Sequence, residues 1–296
     1  MNFSLKANPR AALYMGGLCI SASPVFLRLA GVNGLSTTFY RAFFALLIIL
    51  PFVLGYRLHK APYKLISGAL AGGMLFSLDI AFWNMAVTQS DVLTATVLGN
   101  LAPIWTGILA YFFFKETQSM QFWLGVLLAL WGVLIMTGIL FTLNIPLNAA
   151  NGLAVAGSVF YAGYLITTQK TRTKMHTITF MFYILVSYTI SSFVICRLMN
   201  APLTGFPAKA WISFAGLAVI VQLAGWLLIS YSLGHIRSTE ASLSLLAQSV
   251  LWPSLAAMIF FCEMPTSWQV AGTMLIILGT ALNYLKPKRQ LKLKDV

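Results

Sequence analysis

The chain has 296 residues, of which 59% are hydrophobic and 8% are charged, and its mean hydropathy is +0.84. A soluble domain carries about 25% charged residues, so this composition excludes a water-soluble globular protein and predicts an integral membrane protein. The formal net charge of +13 does not indicate nucleic-acid binding, because the basic residues stand in short breaks between apolar runs. The three cysteines are scattered through apolar segments and form neither a metal motif nor a disulfide framework.

Apolar runs long enough to cross a bilayer follow one another along the whole chain. A bilayer core about 30 Å thick needs roughly 20 helical residues per crossing, and turn and charge signals such as HKAP, KETQ and KTRTK separate the runs. The predicted membrane helices are 11–31, 36–56, 63–87, 92–114, 120–141, 150–169, 177–198, 208–233, 238–261 and 267–286. The predicted fold class is therefore an all-α membrane protein with ten transmembrane helices.

The distribution of lysine and arginine predicts which face of the membrane holds the termini. If the N-terminus is cytoplasmic, 15 of the 19 basic residues fall inside. The four that fall outside are Arg28, Arg41, Arg197 and Lys209. Both termini are therefore expected on the cytoplasmic side of a bacterial-type inner membrane, with the basic tail KPKRQLKLK anchored at lipid headgroups.

Two stretches 147 residues apart share one pattern. Residues 116–132 read ETQSMQFWLGVLLALWG and residues 263–279 read EMPTSWQVAGTMLIILG, and the spacing from Glu to Gly to Gly is the same in both. Since five helices per copy is an odd number, the second copy enters the membrane from the opposite side, which is the inverted repeat typical of secondary transporters. The two five-helix repeats are placed at 1–145 and 146–296. Close helix packing is expected at the repeat glycines Gly125, Gly132, Gly272 and Gly279.

Asp79 stands near the centre of the third predicted helix, within the run FSLDIAFWNMAV. A charge at the centre of a membrane helix costs about 2.5–3.5 kcal/mol and usually faces a bundle interior or water. Asp79 shares a helix face with aromatic residues such as Trp83, so it could receive an ammonium group or carry a proton. The alternative is a structural acid bound by neighbouring helices. At the repeat offset Asp79 aligns with Trp226, so an acid from one half is expected to face an indole from the other.

Polar side chains on other helices extend this candidate site. Asn100 shares a polar stripe of helix 4 with Pro103, which frees a backbone carbonyl at mid-membrane. Hydrogen bonding or packing between helices is the alternative role for each candidate. The predicted substrate-binding residues are Asp79, Trp83, Asn84, Asn100, Tyr161, Tyr164, Gln222, Trp226, Gln248, Trp252 and Ser23.

Two arginines lie near the predicted outer ends of helices 1 and 2. We interpret Arg28 and Arg41 as side chains that reach the membrane interface. Attraction of an anionic group, such as a substrate carboxylate, is the alternative. The deep charge that the sequence predicts is therefore negative only.

Two strings, TTFYRAFFALLIILP and LDIAFWNMAVTQSDVLTATVLGNLAPIWTGILAYFFFKE, together with the E-x8-G-x6-G repeats, resemble the EamA type of the drug/metabolite transporter superfamily. The resemblance covers nearly the whole chain and is most specific from Asp79 to Glu116. It implies a ten-helix carrier whose central cavity is lined mainly by helices 1, 3, 4, 6, 8 and 9, and it implies export of amino acids or related metabolites. It does not supply the substrate, since the superfamily also includes nucleotide-sugar and sugar-phosphate carriers.

These features predict a secondary transporter that exports a small polar metabolite, an amino acid or derivative, by alternating access. No P-loop pattern is present, so the substrate gradient or coupled protons would supply the energy. A carrier of a phosphorylated metabolite or nucleotide sugar remains an alternative, although such a cargo favours several cationic groups. A channel is another, although it should show rings of polar residues along a pore. No enzyme, cofactor or metal site is predicted, because Asp79 has no deep acid or histidine beside it.

Overall fold

The computed structural model describes residues 8–55, 61–89, 92–138, 149–261 and 266–284, and all regular secondary structure within them is helical. The helices are α1 (Pro9–Ser21), α2 (Ser23–Ala30), α3 (Gly34–Gly55), α4 (Tyr63–Gln89), α5 (Val92–Gly99), α6 (Ala102–Phe114), α7 (Met120–Thr137), α8 (Ala149–Arg172), α9 (Thr177–Leu198), α10 (Ala208–Gly216), α11 (Trp226–Leu233), α12 (Ser238–Phe261) and α13 (Ser267–Tyr284). A π-helix, Leu217–Gly225, joins α10 to α11. The predicted all-helical class is confirmed.

Eight helical segments of the described residues are long and apolar enough to cross a membrane. They match the first eight predicted spans to within a few residues. The helices α12 and α13 occupy the positions of the ninth and tenth, and a total of ten crossings stays a prediction. The predicted ends of helices 5 and 10, the repeat residue Glu263 and the basic tail lie outside the described residues.

Three of the predicted helices are interrupted near their centres. The first breaks at Ala22 and the fourth at Asn100 and Leu101. Pro24 and Pro103 stand in the first turn of the helix that follows each break, where the missing proline N–H has no helical partner to lose. The break at Asn100 and Leu101 confirms the weak point expected beside Pro103. The predicted span of helix 8 is found as Ala208–Leu233, and its central LAVIVQLAG forms a π-helix that no proline signals.

The repeat glycines pack α7 against α13 at backbone distance. A Cβ atom added at Gly132 would lie 2.5 Å from the carbonyl oxygen of Gly272, and one added at Gly125 would lie 2.5 Å from that of Gly279. The numbers rise along α7 as they fall along α13, so these equivalent helices run antiparallel. Antiparallel equivalent helices are what an inverted repeat requires, and the predicted role of these glycines is confirmed.

A second contact joins equivalent positions of the two halves. Arg41 in α3 donates a hydrogen bond of 2.8 Å from Nη2 to the hydroxyl of Tyr188 in α9, and the two residues are 147 positions apart. This separation is the repeat offset. A residue that contacts its own counterpart lies where the halves meet, so Arg41 and Tyr188 lie beside the pseudo-twofold axis.

One end of the bundle is packed shut. We call it the N-terminal face, because α1 begins there. Arg10 forms an ion pair with Glu240 at the start of α12 (Nε to Oε1, 3.1 Å), and its guanidinium lies 5.1 Å from the ring centre of Tyr284 at the end of α13. Arg237 pairs with Glu116 at 3.6 Å. Every residue from Ser238 to Gln248 is buried, whereas the next one, Ser249, is exposed.

Candidate functional site

A cavity of about 480 Å³ lies between the two halves, within the size range of small-molecule sites. Its lining includes Leu27 in α2, Thr37 at the start of α3 and Asn84 near the end of α4. These positions lie toward the end of the bundle opposite the N-terminal face. Ser249 lines the cavity as well, so the buried first half of α12 forms its floor.

Seven of the predicted substrate-binding residues line this cavity. They are Ser23, Asp79, Trp83, Asn84, Asn100, Tyr161 and Trp226. The two members of the expected pair, Asp79 and Trp226, therefore share one cavity although they come from different halves. Their role in binding stays a prediction.

The other four predicted residues do not line it. Tyr164 is 1% exposed and packs its ring 5.4 Å from that of Trp226, behind the cavity wall. Gln222 is buried within the π-helix, and its Oε1 has no hydrogen-bond partner among the described residues. The Gln248 amide donates to the carbonyl of Ser244 at 3.2 Å, and the Trp252 indole N–H has no partner in the part of the chain that the structure describes.

Gln248 lies directly beneath the cavity, although it does not face it. A Cβ atom at Gly17, which does line the cavity, would overlap the Gln248 side-chain amide. The glycine therefore leaves room for the Gln248 amide between α1 and α12 at the cavity floor. Gln248 supports the floor in this structure, the packing role that the sequence left open beside ligand binding.

Hydrogen bonds at the cavity connect helices within the first repeat and between the two repeats. The Asn84 amide donates to the Thr38 hydroxyl at 3.2 Å, and the Ser249 hydroxyl donates to the Asn100 side-chain oxygen at 3.3 Å. Asn100 stands at the break between α5 and α6, and Ser249 stands at the end of the buried part of α12. The break in predicted helix 4 thus contacts the part of predicted helix 9 that corresponds to it at the repeat offset.

Aromatic rings form a compact wall beside Asp79. Phe76, one turn earlier on α4, lies 4.6 Å from Trp226, 4.7 Å from Tyr164 and 5.0 Å from Tyr188, measured between ring centres. Rings at such distances and mutual tilts contribute favourable quadrupole contacts beyond area burial. The wall holds residues of both halves in one cluster and presents Trp226 to the cavity.

Arg41 was misplaced by sequence reasoning. It is 7% exposed and lines the same cavity as Asp79, so the interpretation as an interfacial side chain was wrong. The expectation of a negative deep charge alone was wrong for the same reason. Arg41 stands seven residues after Gly34, where α3 begins, which places it about 10 Å inside the helix. Its distance from the start of the helix was the sequence signal that could have indicated a buried position.

The cavity thus holds one basic and one acidic side chain. The ion pairs of the described residues, Arg10–Glu240 and Arg237–Glu116, involve neither of them. Two opposite charges on one polar and aromatic cavity can bind a small molecule that carries both charges.

An all-helical membrane protein of two inverted halves around a polar cavity belongs to the class of transporters. The model of the EamA-like transporter family matches residues 11–138 and 148–285. The chain therefore belongs to the EamA-like transporter family, a placement consistent with the drug/metabolite transporter superfamily.

Similar proteins include named carriers. A protein of Rickettsia felis named S-adenosylmethionine uptake transporter is 22% identical over 93% of this chain and 91% of its own length. An uncharacterized transporter of Archaeoglobus fulgidus is 24% identical over 92% of this chain and 94% of its own. One solved crystal structure has the same fold, with a TM-score of 0.76 and 17% identity over 94% of this chain and 96% of that one.

The burial change along α12 predicts a sharp difference in thiol reactivity. With the three native cysteines replaced by alanine, Ser249→Cys should react with a membrane-impermeant thiol reagent, because position 249 is exposed to the cavity. Ser242→Cys, at a position 2% exposed on the same helix, should remain unmodified and serves as the control. Mass spectrometry of the labelled protein measures both, and equal labelling of the two would contradict the sealed floor.

Proposed function

We propose that the protein is a secondary carrier that moves an amino acid or amino-acid derivative by alternating access around this cavity. The observation that carries the proposal is a cavity containing Asp79 that lies on one side of a packed floor. A carrier must close one face while its binding site is accessible from the other. The floor formed by residues 238–248 and the ion pairs of the N-terminal face supply that closure.

Asp79 is proposed to receive the substrate ammonium group. The indoles of Trp83 and Trp226 and the phenol of Tyr161 line the cavity with it, and aromatic faces attract cations. The Rickettsia relatives are named for S-adenosylmethionine, a molecule with an amino-acid end and a sulfonium cation. Such a cargo carries the charges that this cavity complements.

The alternatives fit the cavity less well. A channel requires a continuous pore, and the buried first half of α12 interrupts such a path in this structure. A nucleotide sugar or phosphorylated metabolite would place two or more negative charges next to Asp79, with Arg41 as the one basic residue among those that line the described cavity. With one acid and one base on the cavity wall, a polyanionic cargo would carry more negative charge than the cavity can neutralise.

Orientation and energy coupling belong to the same proposal. The excess of basic residues on one side supports the proposal that the N-terminal face lies in the cytoplasm of an inner membrane, with the cavity directed outward in this conformation. Export is the proposed physiological direction, and the gradients of substrate or protons would set it. Asp79 is the proposed proton-carrying group if transport is proton-coupled.

Ionic contacts at the N-terminal face should hold it closed. Glu240→Gln combined with Glu116→Gln removes two ion pairs, each worth roughly 0.2–1 kcal/mol. We expect the thiol reactivity of Ser242→Cys to rise roughly two- to tenfold, as the packed half of α12 becomes accessible more often. The control is Lys209→Gln, an exposed position at the end of the bundle opposite the N-terminal face, which should leave the thiol reactivity unchanged. An unaltered labelling rate in the double variant would refute the proposed closure.

Counterflow in proteoliposomes tests the proposed function. Vesicles loaded with one unlabelled amino acid or S-adenosylmethionine are diluted into the labelled compound, and accumulation of label is followed over time. A carrier gives transient accumulation that saturates with concentration. Flux that never saturates, or the absence of exchange for every compound tested, would overturn the proposal.

A further inference from the structure

Arg41 is a buried cation in a position where a membrane protein rarely tolerates one. It lies on α3 at 7% exposure, beside the pseudo-twofold axis and on the cavity wall. Charged side chains within membrane helices are costly and mark functional pathways or pairs. The site described above uses Asp79 and the aromatic wall, and it leaves the purpose of this cation open.

The direct contacts of Arg41 hold it in place through uncharged groups. Its Nη2 donates to the Tyr188 hydroxyl at 2.8 Å, and its guanidinium carbon lies 5.7 Å from the ring centres of both Phe76 and Tyr188. These partners are uncharged. The Nε atom is buried and has no hydrogen-bond partner among the described residues. A guanidinium carries five N–H donors, so this one has donors to offer a ligand.

The support of the guanidinium comes from both halves of the protein. Phe76 belongs to the first repeat and Tyr188 to the second, and Phe76 also packs on Trp226 at the cavity wall. Stacking on aromatic rings orients the plane of an arginine. The cation is therefore held by the same aromatic cluster that presents Trp226 to the cavity. One member of that cluster, Phe76, stands one helical turn before Asp79 on α4.

Arg41 and Asp79 together provide opposite charges on one cavity wall. A planar guanidinium matches the geometry of a carboxylate and can bind it through two parallel hydrogen bonds. An acid and a base on one cavity complement a zwitterion better than they complement a simple cation or a polyanion, because each charge of the ligand meets an opposite one.

We propose that Arg41 binds the substrate carboxylate while Asp79 binds the ammonium group, so that the cavity selects zwitterionic α-amino acids over the corresponding amines. This inference rests on the proposed function and specifies the substrate class of the same site. Tyr188 is a positioning residue, since it acts on the substrate through Arg41.

The experiment compares amino acids with their decarboxylated analogues. The probe pairs are tryptophan and tryptamine, lysine and cadaverine, and S-adenosylmethionine and decarboxylated S-adenosylmethionine. Counterflow by wild type should favour the zwitterion of the transported pair. Arg41→Gln should raise the KM of the zwitterion roughly 10- to 100-fold, the loss expected for a charged hydrogen-bonded pair, while leaving the KM of the amine within a few-fold of wild type.

Two further variants keep the test decisive. Arg41→Lys retains the charge without the planar fork and should show a smaller loss for the zwitterion, which carries the test if Arg41→Gln does not fold. Tyr188→Phe should lower the zwitterion preference less than either. An equal loss for both members of a pair, or a wild-type preference for the amine, would overturn the inference. Absence of transport for every pair would instead overturn the proposed function.

Discussion

Asp79→Asn is expected to lower kcat/KM for the transported amino acid roughly 10- to 100-fold. The carboxylate lines the cavity, and a hydrogen bond to a charged group contributes about 1.5–3 kcal/mol, which corresponds to one to two powers of ten in affinity. Initial rates of counterflow in proteoliposomes, measured with matched amounts of inserted protein, give the value. Asp79→Glu keeps the charge and should recover part of the loss.

An analogue that lacks the amino group separates binding from structure. Tryptophan and indole-3-propionic acid differ in the ammonium group, so the Asp79→Asn loss should disappear for the second compound. A loss of the same size for both would show that Asp79 supports the fold rather than the ligand. If protons are coupled through Asp79, the variant should also lose the pH dependence of its exchange rate.

Gly132→Ala is expected to destabilise the protein by about 1–3 kcal/mol, the cost of overpacking a tight interface. The new Cβ would lie 2.5 Å from the backbone oxygen of Gly272 and 2.7 Å from the Ile276 side chain. A backbone oxygen cannot rotate away, so α7 and α13 must separate. Thermal unfolding of the detergent-purified protein, followed by tryptophan fluorescence, measures the change.

A matched glycine on another helix provides the control for Gly132→Ala. Gly152 in α8 is exposed and has no atom within 4 Å of an added Cβ, so Gly152→Ala should leave stability unchanged or raise it slightly through helix propensity. Gly272→Ala should resemble Gly132→Ala, because its Cβ would meet the Gly132 oxygen at 2.6 Å. Unfolding of Gly132→Ala at the wild-type temperature would contradict the backbone contact.

Much of the architecture was predictable because membrane helices can be recognised in a sequence by their length and apolar composition. The glycine spacing shared by residues 125–132 and 272–279 identified positions of close helix packing. Pro103 indicated the break in helix 4. The π-helix Leu217–Gly225 could not be predicted, since its sequence contains no proline and no other signal of an altered helical pitch.

The acid of the site was predictable from the sequence, whereas its base was named only as the less favoured alternative to an interfacial arginine. Asp79 is conspicuous because no other charge stands within its helix centre, and it lines the cavity. Arg41 follows an aromatic run near a helix end, which matches the pattern of an interfacial arginine. Its depth depends on where α3 begins, and its function as a cavity group depends on Tyr188, which comes from a helix far along the sequence.

A structure of the protein bound to its transported amino acid tests the central claim most directly. We expect substrate density in the cavity above the buried half of α12, with the ammonium group at hydrogen-bond distance from the Asp79 carboxylate and the carboxylate facing the Arg41 guanidinium. Substrate found outside this cavity, or bound in it with its ammonium directed away from Asp79, would contradict the account.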